Sequence, residues 1–284
     1  RNWVASLDFL LPNGLKLTAD RGQYRSTNGH FVLVHGGEET ILPVPRYPQP
    51  AIKNAGGPWS APDGAMDFID LVVGSEGIFG LVTACTLKLI PRPADYLDLF
   101  FSLPDEKGAI QFYHYIRRRL GGDLGRLTAL EYFGVNCRKH MDHEERLFHG
   151  ADQVAIYIQV PLPDGGADAA AEEWLGLLTE AGCGINEDGI MLIANDRDRA
   201  MFMEARHSLP ANSLEVVQRR GTFTIMTDTV VPPEHFAAFL EFTHALLKSE
   251  GLDYLAFGHL GDCHLHFTIL PEKDQLARGA EVYD

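Results

Sequence analysis

The sequence predicts an α+β fold in which two parts join near residue 92. Before that point, apolar strands are separated by turns rich in glycine and proline, whereas beyond it short strand-like runs alternate with segments of helical period. The run Pro91-Arg92-Pro93 separates the two patterns. We therefore expect one domain over residues 1–92 and a second over residues 93–284, the second with its helices on one side of a sheet.

The first part begins with a predicted β-hairpin. Apolar residues 3–11 and 15–18 flank an Asn13-Gly14 pair, which readily adopts the positive φ angles of a tight turn. Residues 36–64 contain so many prolines and glycines that we expect an irregular loop without long helices. A short apolar segment, a glycine-rich loop over residues 74–80 and a half-buried strand over residues 81–90 complete this part.

The second part alternates between strand and helix patterns. Strands are predicted over residues 96–103, 127–133, 153–160, 222–230, 254–260 and 264–270. Helices are predicted over residues 106–120, 136–148, 167–181, 196–208 and 233–248. We find no internal repeat in the chain.

Composition and charge exclude some functions. The 284 residues are 45% hydrophobic and carry a formal net charge of −15, which repels nucleic-acid phosphates, so we expect no nucleic-acid partner. No apolar run reaches the roughly 18 residues needed to span a bilayer. The four cysteines are scattered without a CxxC pair, so we expect reduced thiols and a cytoplasmic protein. The start at Arg1 is interpreted as internal to a longer chain.

Two segments contain residues suited to ligand binding. The run from Gly74 to Gly80 has glycines at three-residue intervals and leads into a strand, which differs from the dinucleotide-binding G-x-G-x-x-G motif before a helix. Its spacing is compatible with a structural turn or with a cofactor loop. In the second segment, His259, His264 and His266 flank a turn, so they are either metal ligands or hydrogen-bonded strand histidines.

Both segments resemble the FAD-linked oxidases of the vanillyl-alcohol oxidase superfamily. Residues 67–83 are similar to that family's GSEGTLGVIT stretch, and residues 53–57 resemble its KNxAG segment. The resemblance implies the C-terminal part of an FAD-binding domain, followed by a cap domain with an antiparallel sheet and ferredoxin-like elements. It also implies FAD contacts at Asn54, Gly74, Ser75, Gly77, Gly80 and Leu81.

The histidine segment, residues 258–266, resembles the family's GHxGDGNxH signature, with Cys263 and His264 in place of its Gly and Asn. The resemblance implies that His259 and His266 bind a divalent metal, either zinc or iron or manganese. His264 is a further ligand or a hydrogen-bonding group and is assigned a catalytic role. The family's WxxR helix corresponds to Arg206, which would bind the substrate carboxylate. The family's EHG motif, with its metal-binding glutamate and basic histidine, would follow residue 284, and its pyrophosphate loop would precede residue 1.

The resemblance implies an FAD-dependent dehydrogenase that oxidises a D-2-hydroxyacid such as lactate or glycolate. Met226 replaces a lysine found in some members, which argues against D-2-hydroxyglutarate. Electrons would pass to an external acceptor, such as an electron-transfer flavoprotein, a quinone or a cytochrome. Through such an acceptor the protein would associate with the surface of a membrane. A homodimer is a further expectation. The alternatives are a flavin-free fragment or binding module, and a metal-dependent hydrolase built on the histidine hairpin.

Overall fold

A computed structural model describes residues 1–44, 47–53, 59–61, 63–164 and 166–283. The chain divides into two compact units, residues 1–91 and residues 92–284. The expected cofactor residue Asn54 lies outside the described residues. Among the helices in the described ranges, none combines the length and the apolar character that a bilayer span requires.

The first unit contains an antiparallel three-stranded sheet and a short helix. Its elements are β1 Val4–Leu10, β2 Lys16–Asp20, β3 His30–His35, β4 Glu38–Pro43, β5 Tyr47–Pro48, β6 Trp59–Ser60, α1 Phe68–Val72 and β7 Leu81–Leu87. The order in the sheet is β2-β1-β7, so the predicted β1–β2 hairpin is confirmed. Because β4 pairs with β3, part of the stretch expected to be irregular is a second hairpin.

The core of the first unit explains why one expectation was wrong. Phe68, in α1, packs edge-on against Phe9 and Phe31, and these rings are the centre of the buried cluster. Strand β7 pairs with β1 along one edge, yet all seven of its residues are exposed. A half-buried strand was predicted over residues 81–90, but β7 is exposed within the described chain. The buried cluster around Phe9 includes none of its residues.

The second unit is built on one large antiparallel sheet. Its elements are β8 Asp95–Leu103, α2 Glu106–Arg119, β9 Ala129–Phe133, α3 Glu144–Leu147, β10 Val154–Leu162, α4 Ala167–Ala181, β11 Ile190–Leu192, α5 Asp196–Arg220, β12 Ile225–Met226, β13 Thr229–Val230, α6 Phe236–Ser249, β14 Tyr254–His259, β15 His264–Ile269 and α7 Leu276–Tyr283. The strand order is β11-β8-β10-β9-β14-β15-β12, with β13 also paired to β15.

The first part of this unit, from β8 to β11, has ferredoxin-like connectivity. Apart from the short α3 between β9 and β10, the chain order β8-α2-β9-β10-α4-β11 and the sheet order β11-β8-β10-β9 define a split βαβ arrangement with antiparallel neighbours. Strands β14, β15 and β12 extend the sheet beyond β9. The predicted α+β class, with an antiparallel sheet and ferredoxin-like elements, is confirmed.

Helices cover both faces of the sheet, and the expectation of a single helical side was wrong. On one face, Phe101 packs in a cluster with residues of α2, α4 and α6. On the other, Phe100 and Phe133 pack against Phe202 of α5. Since both faces are covered, β8 is a nearly continuous run of buried residues instead of an alternating one.

Two element boundaries differ from the prediction for local reasons. The helix expected over residues 136–148 is broken into a 3₁₀ turn and the short α3, because Asn136 and His143 adopt left-handed backbone angles. The Asn136 side chain donates instead to the carbonyl oxygen of Tyr254, at 2.7 Å. Helix α5 continues twelve residues beyond the predicted end at residue 208, through Pro210, and ends at Gly221 in the left-handed region.

Candidate functional site

A cavity of about 190 Å³ lies in the second unit, where β9 and β14 face α5. Three of the side chains singled out in the sequence line it, namely Arg206, His259 and His266. Glu131 also lines it and was not expected. The structure therefore brings together a cation, a carboxylate and two imidazoles around one small space.

The register of three strands explains how these groups meet. Glu131 on β9 is opposite His259 on β14, which in turn is opposite His264 on β15. Residues directly opposite in an antiparallel pair project from the same face of the sheet. His266 is two residues beyond His264 on β15, so it shares that face. This face is the one that α5 covers.

The two oxygens of Glu131 contact different partners. Its Oε1 is 2.7 Å from Nδ1 of His259, and its Oε2 accepts a hydrogen bond from Nη2 of Arg206 at 3.3 Å. Burial raises the pKa of the Glu131 carboxyl, but the hydrogen bonds and charges of His259 and Arg206 together lower it below its ordinary value. Glu131 is therefore a carboxylate at neutral pH.

Beside β15, the side chains of Asp228, His264 and His266 converge. His264 Nε2 contacts Asp228 Oδ1, and Nδ1 of His266 is 3.3 Å from the same oxygen. One ligand atom from each of the three residues lies within 4.8 Å of the others. Although His266 Nδ1 is close to the carboxylate, it is buried and makes no well-oriented hydrogen bond within the described chain. Burial, and then the neighbouring His264, lower the pKa of His266, so its imidazole is neutral at pH 7.

Close backbone packing shapes the turn between β14 and β15. A Cβ on Gly258 would lie 2.5 Å from the carbonyl oxygen of His264, so only glycine fits at this position. Cys263 has φ 52°, in the left-handed region that favours glycine. Its side chain is fully buried, and Sγ is 3.2 Å from the hydroxyl of Tyr113. The departure from the family's glycine is thus compatible with the turn and adds a buried contact.

Two contacts near the start of helix α5 fix the position of Arg206. Phe202 is buried and stacks on Tyr157 with ring centroids 4.6 Å apart. Arg199 contacts the buried carboxylate of Asp98 at 3.1 Å. Residues three and four apart share a helix face, so Arg199, Phe202 and Arg206 all point to the sheet. Arg206 is therefore an inward-facing residue.

The glycine loop belongs to the first unit. Gly74 and Gly77 are exposed and have φ angles of 83° and 82°, while Ser75 is half-buried. The amides of Ser75 and Ile78 close turns within the loop. A Cβ on Gly80 would lie 2.4 Å from the carbonyl oxygen of Leu10, so packing on β1 alone requires that glycine. Leu81 begins β7 and is exposed.

The sequence did not single out Glu131 or Asp228 as site residues. Glu131 stands between Leu130 and Tyr132 in a strand whose neighbours are buried, and an acidic residue in such a run is a signal for a paired carboxylate. Asp228 lies between β12 and β13, in a stretch expected to form one strand. The break brings its carboxylate to β15, which spacing alone does not reveal.

The family model described as FAD linked oxidases, C-terminal domain, matches residues 99–284. The chain belongs to this family. Its curated relatives include a mitochondrial D-2-hydroxyglutarate dehydrogenase of Rattus norvegicus, 25% identical over 76% of the chain and 39% of the relative. A D-2-hydroxyglutarate dehydrogenase of Xanthomonas citri is 28% identical over 72% of the chain and 41% of the relative. A D-lactate dehydrogenase of Anaerostipes hadrus is 25% identical over 70% of the chain and 41% of the relative.

Solved structures agree on the fold of this FAD-linked oxidase chain. A substrate-bound p-cresol methylhydroxylase is similar with a TM-score of 0.59 and 11% identity, covering 99% of the chain and 54% of the other protein. The 4-ethylphenol oxidase of Gulosibacter chungangensis gives 0.54 and 18%, covering 99% and 55%. At such identities the likeness concerns the fold. The chain spans less than half the length of the curated relatives named here.

Proposed function

We propose that this chain carries the substrate and metal site of an FAD-dependent dehydrogenase that oxidises a D-2-hydroxyacid to the 2-oxoacid. The observation that supports it is the single cavity lined by Arg206, His259 and His266. A 2-hydroxyacid offers a carboxylate, which a guanidinium binds through two donors, and an adjacent hydroxyl, which a metal ion polarises. The guanidinium of Arg206 and two imidazoles that could hold such an ion line this cavity, in a chain that belongs to the FAD-linked oxidases.

The residues present fit a divalent metal ion. Carboxylate oxygen and neutral imidazole nitrogen are the ligands that zinc and related ions use, and Asp228, His264 and His266 supply them within 4.8 Å of one another. The buried Nδ1 of His266 lacks a good hydrogen bond within the described residues, as expected of an atom that binds a metal ion. His259, across the strand pair from His264, is the proposed fourth ligand.

The glycine loop fits an FAD contact surface. The exposed, left-handed Gly74 and Gly77 present backbone without Cβ atoms, which allows the close approach of a flat or phosphorylated ligand. The proposed contacts are Gly74, Ser75, Gly77 and Leu81. Gly80 has a structural reason of its own, because it packs on β1.

In this proposal the chain's own residues bind and orient the substrate. When bound, FAD supplies the hydride acceptor and the metal ion supplies a Lewis acid. Arg206 binds the substrate carboxylate, and its hydrogen bond to Glu131 fixes the direction of the guanidinium. His264, held by Asp228, adds a polar group beside the hydroxyl.

The volume of the cavity favours a small substrate. About 190 Å³ is below the usual range of ligand pockets, so an acid of the size of glycolate or lactate is the proposed substrate. The names of the relatives include both a larger acid, D-2-hydroxyglutarate, and a small one, D-lactate. Met226, where some members have a lysine, leaves no cation at that position for a second carboxylate.

The experiment is anaerobic addition of D-lactate or glycolate to protein loaded with FAD and zinc or manganese. The proposal expects the visible flavin absorption to bleach with the D-acid, and to bleach much more slowly with L-lactate as the matched control. Stoichiometric FAD and metal without bleaching by either acid would contradict the proposed substrate class. Colourless protein that takes up neither group would favour the fragment or binding module.

A further inference from the structure

One carboxylate in the cavity touches two functional groups at the same time. Glu131 Oε1 contacts Nδ1 of His259 at 2.7 Å, and Oε2 contacts Nη2 of Arg206 at 3.3 Å. The Glu131 side chain is 15% exposed, whereas the two partners are 40% and 36% exposed. The carboxylate thus lies beneath the two groups, on the sheet side of the cavity.

The largely buried position of Glu131 is unfavourable for a carboxylate unless neighbouring groups compensate its charge. Glu131 is at the centre of β9, flanked by the buried Leu130 and Tyr132. A buried charge costs several kcal/mol without partners, and an apolar residue would be the ordinary choice for such a strand. The strand register places Glu131 directly opposite His259, so the contact does not depend on a flexible loop.

The hydrogen bond has a definite chemical consequence for His259. A carboxylate only accepts hydrogen bonds, so the imidazole nitrogen that faces it must carry the proton. In a neutral ring, a proton on Nδ1 leaves the lone pair on Nε2, which is then the nitrogen able to bind a metal ion. Arg206 satisfies the second oxygen, so one residue fixes the orientation of both partners.

We propose that Glu131 is a positioning residue, which holds His259 in the Nδ1-protonated tautomer and orients Arg206 at the same cavity. This inference rests on the proposed function for its role in the reaction. Its structural content, the tautomer, can be measured without flavin, metal or substrate.

The substitution Glu131→Gln gives a sharp test because it preserves shape. Arg206 can only donate, so the amide oxygen of the new side chain should turn to it and the amide NH₂ should face His259. The NH₂ group donates to Nδ1, and the ring proton must then move to Nε2. We expect the isosteric change to invert the tautomer of His259, while Glu204→Gln, at an exposed pair with His143, leaves it unchanged.

The measurement is the long-range ¹⁵N–¹H correlation spectrum of the metal-free full chain near pH 8.5, about two units above an ordinary imidazole pKa. The His259 signals are assigned by their loss in His259→Asn. A proton on Nδ1 in the wild type and on Nε2 in Glu131→Gln supports the proposal. A proton on Nε2 in the wild type, or the same tautomer in both proteins, overturns it.

Metal affinity provides a second reading. The proton on Nε2 in Glu131→Gln should weaken zinc binding by about 10–100-fold, the usual effect of changing a group behind a histidine ligand. Unchanged zinc affinity together with an inverted tautomer would show that Glu131 does not support metal binding through His259. If the wild type binds neither zinc nor a hydroxyacid, the proposed function fails, and the tautomer result still decides the position of the proton.

Discussion

Glu131 and His259 lie directly opposite each other on β9 and β14, with Oε1 of the carboxylate 2.7 Å from Nδ1 of the imidazole. This pair links the Arg206 side of the cavity to the histidines of β14 and β15. Arg206 on α5 contacts the same carboxylate, and His264 continues the row on β15. The sheet register therefore determines which chemical groups face the cavity.

Removal of the guanidinium should impair substrate binding. In Arg206→Met we expect kcat/KM for the hydroxyacid to fall by about 10–100-fold, mainly through KM, because a charge-assisted hydrogen bond contributes about 1.5–3 kcal/mol. Arg219→Met, on the exposed end of the same helix, is the matched control and should keep wild-type kinetics. Equal losses in both variants would show that the effect is not specific to the cavity.

The proposed metal ligands can be separated from the other histidines. Asp228→Asn and His266→Gln should each weaken zinc binding at least about 10-fold, because each removes one ligand of the converging set. His143→Gln, at an exposed ion pair elsewhere, should bind zinc like the wild type. Isothermal titration with zinc compares the variants. A loss in His143→Gln, with normal binding in the other two, would place the ion elsewhere.

Much of the fold could be predicted because its signals are local. The apolar runs of β8, β10 and β14 and the helical period of α2 and α4 give elements within a few residues of the observed ends. The break of residues 136–148 could not be predicted, because it depends on Asn136 contacting β14, 118 residues away in sequence. Helix α5 similarly continues past its predicted end at residue 208, because Leu209 and Val217 pack into the core on both sides of Pro210.

The site shows the same division. His259, His264 and His266 could be singled out because they lie close together in sequence, and Arg206 because its helix resembles a family motif. The partnership of Arg206 with Glu131 joins residues 75 apart, and that of His264 with Asp228 joins residues 36 apart. Such pairs follow from strand register and from the gap between β12 and β13, which periodicity does not determine.

Gly80 should be essential for stability whether or not FAD is bound. In Gly80→Ala a Cβ would meet the Leu10 carbonyl oxygen at 2.4 Å, at a residue with φ 147°, so we expect a loss of roughly 2–4 kcal/mol in the free energy of unfolding. Gly176→Ala, on the exposed face of α4 with nothing within 4 Å, should gain up to about 1 kcal/mol. Chemical denaturation of the flavin-free protein measures both.

His140 should make stability sensitive to mild acid. Burial, and then the nearby Lys139, lower the pKa of its imidazole below the ordinary 6.5. The folded chain therefore binds fewer protons here than the unfolded chain, and stability present above pH 6.5 is lost as the pH falls towards the folded pKa. Between about pH 7.5 and 5.5, the free energy of unfolding should fall more for the wild type than for His140→Phe. Parallel curves would contradict a neutral, buried His140.

The most direct test of the account is the position of the metal ion in crystals of the zinc-loaded protein, from anomalous scattering at the zinc edge. We predict one strong peak about 2.0–2.2 Å from imidazole nitrogens of His264, His266 and the proposed fourth ligand His259 and from an oxygen of Asp228, beside the cavity lined by Arg206. A peak on the histidines of residues 140–149, or no peak at saturating zinc, would contradict the central claim that these strands form the metal and hydroxyacid site.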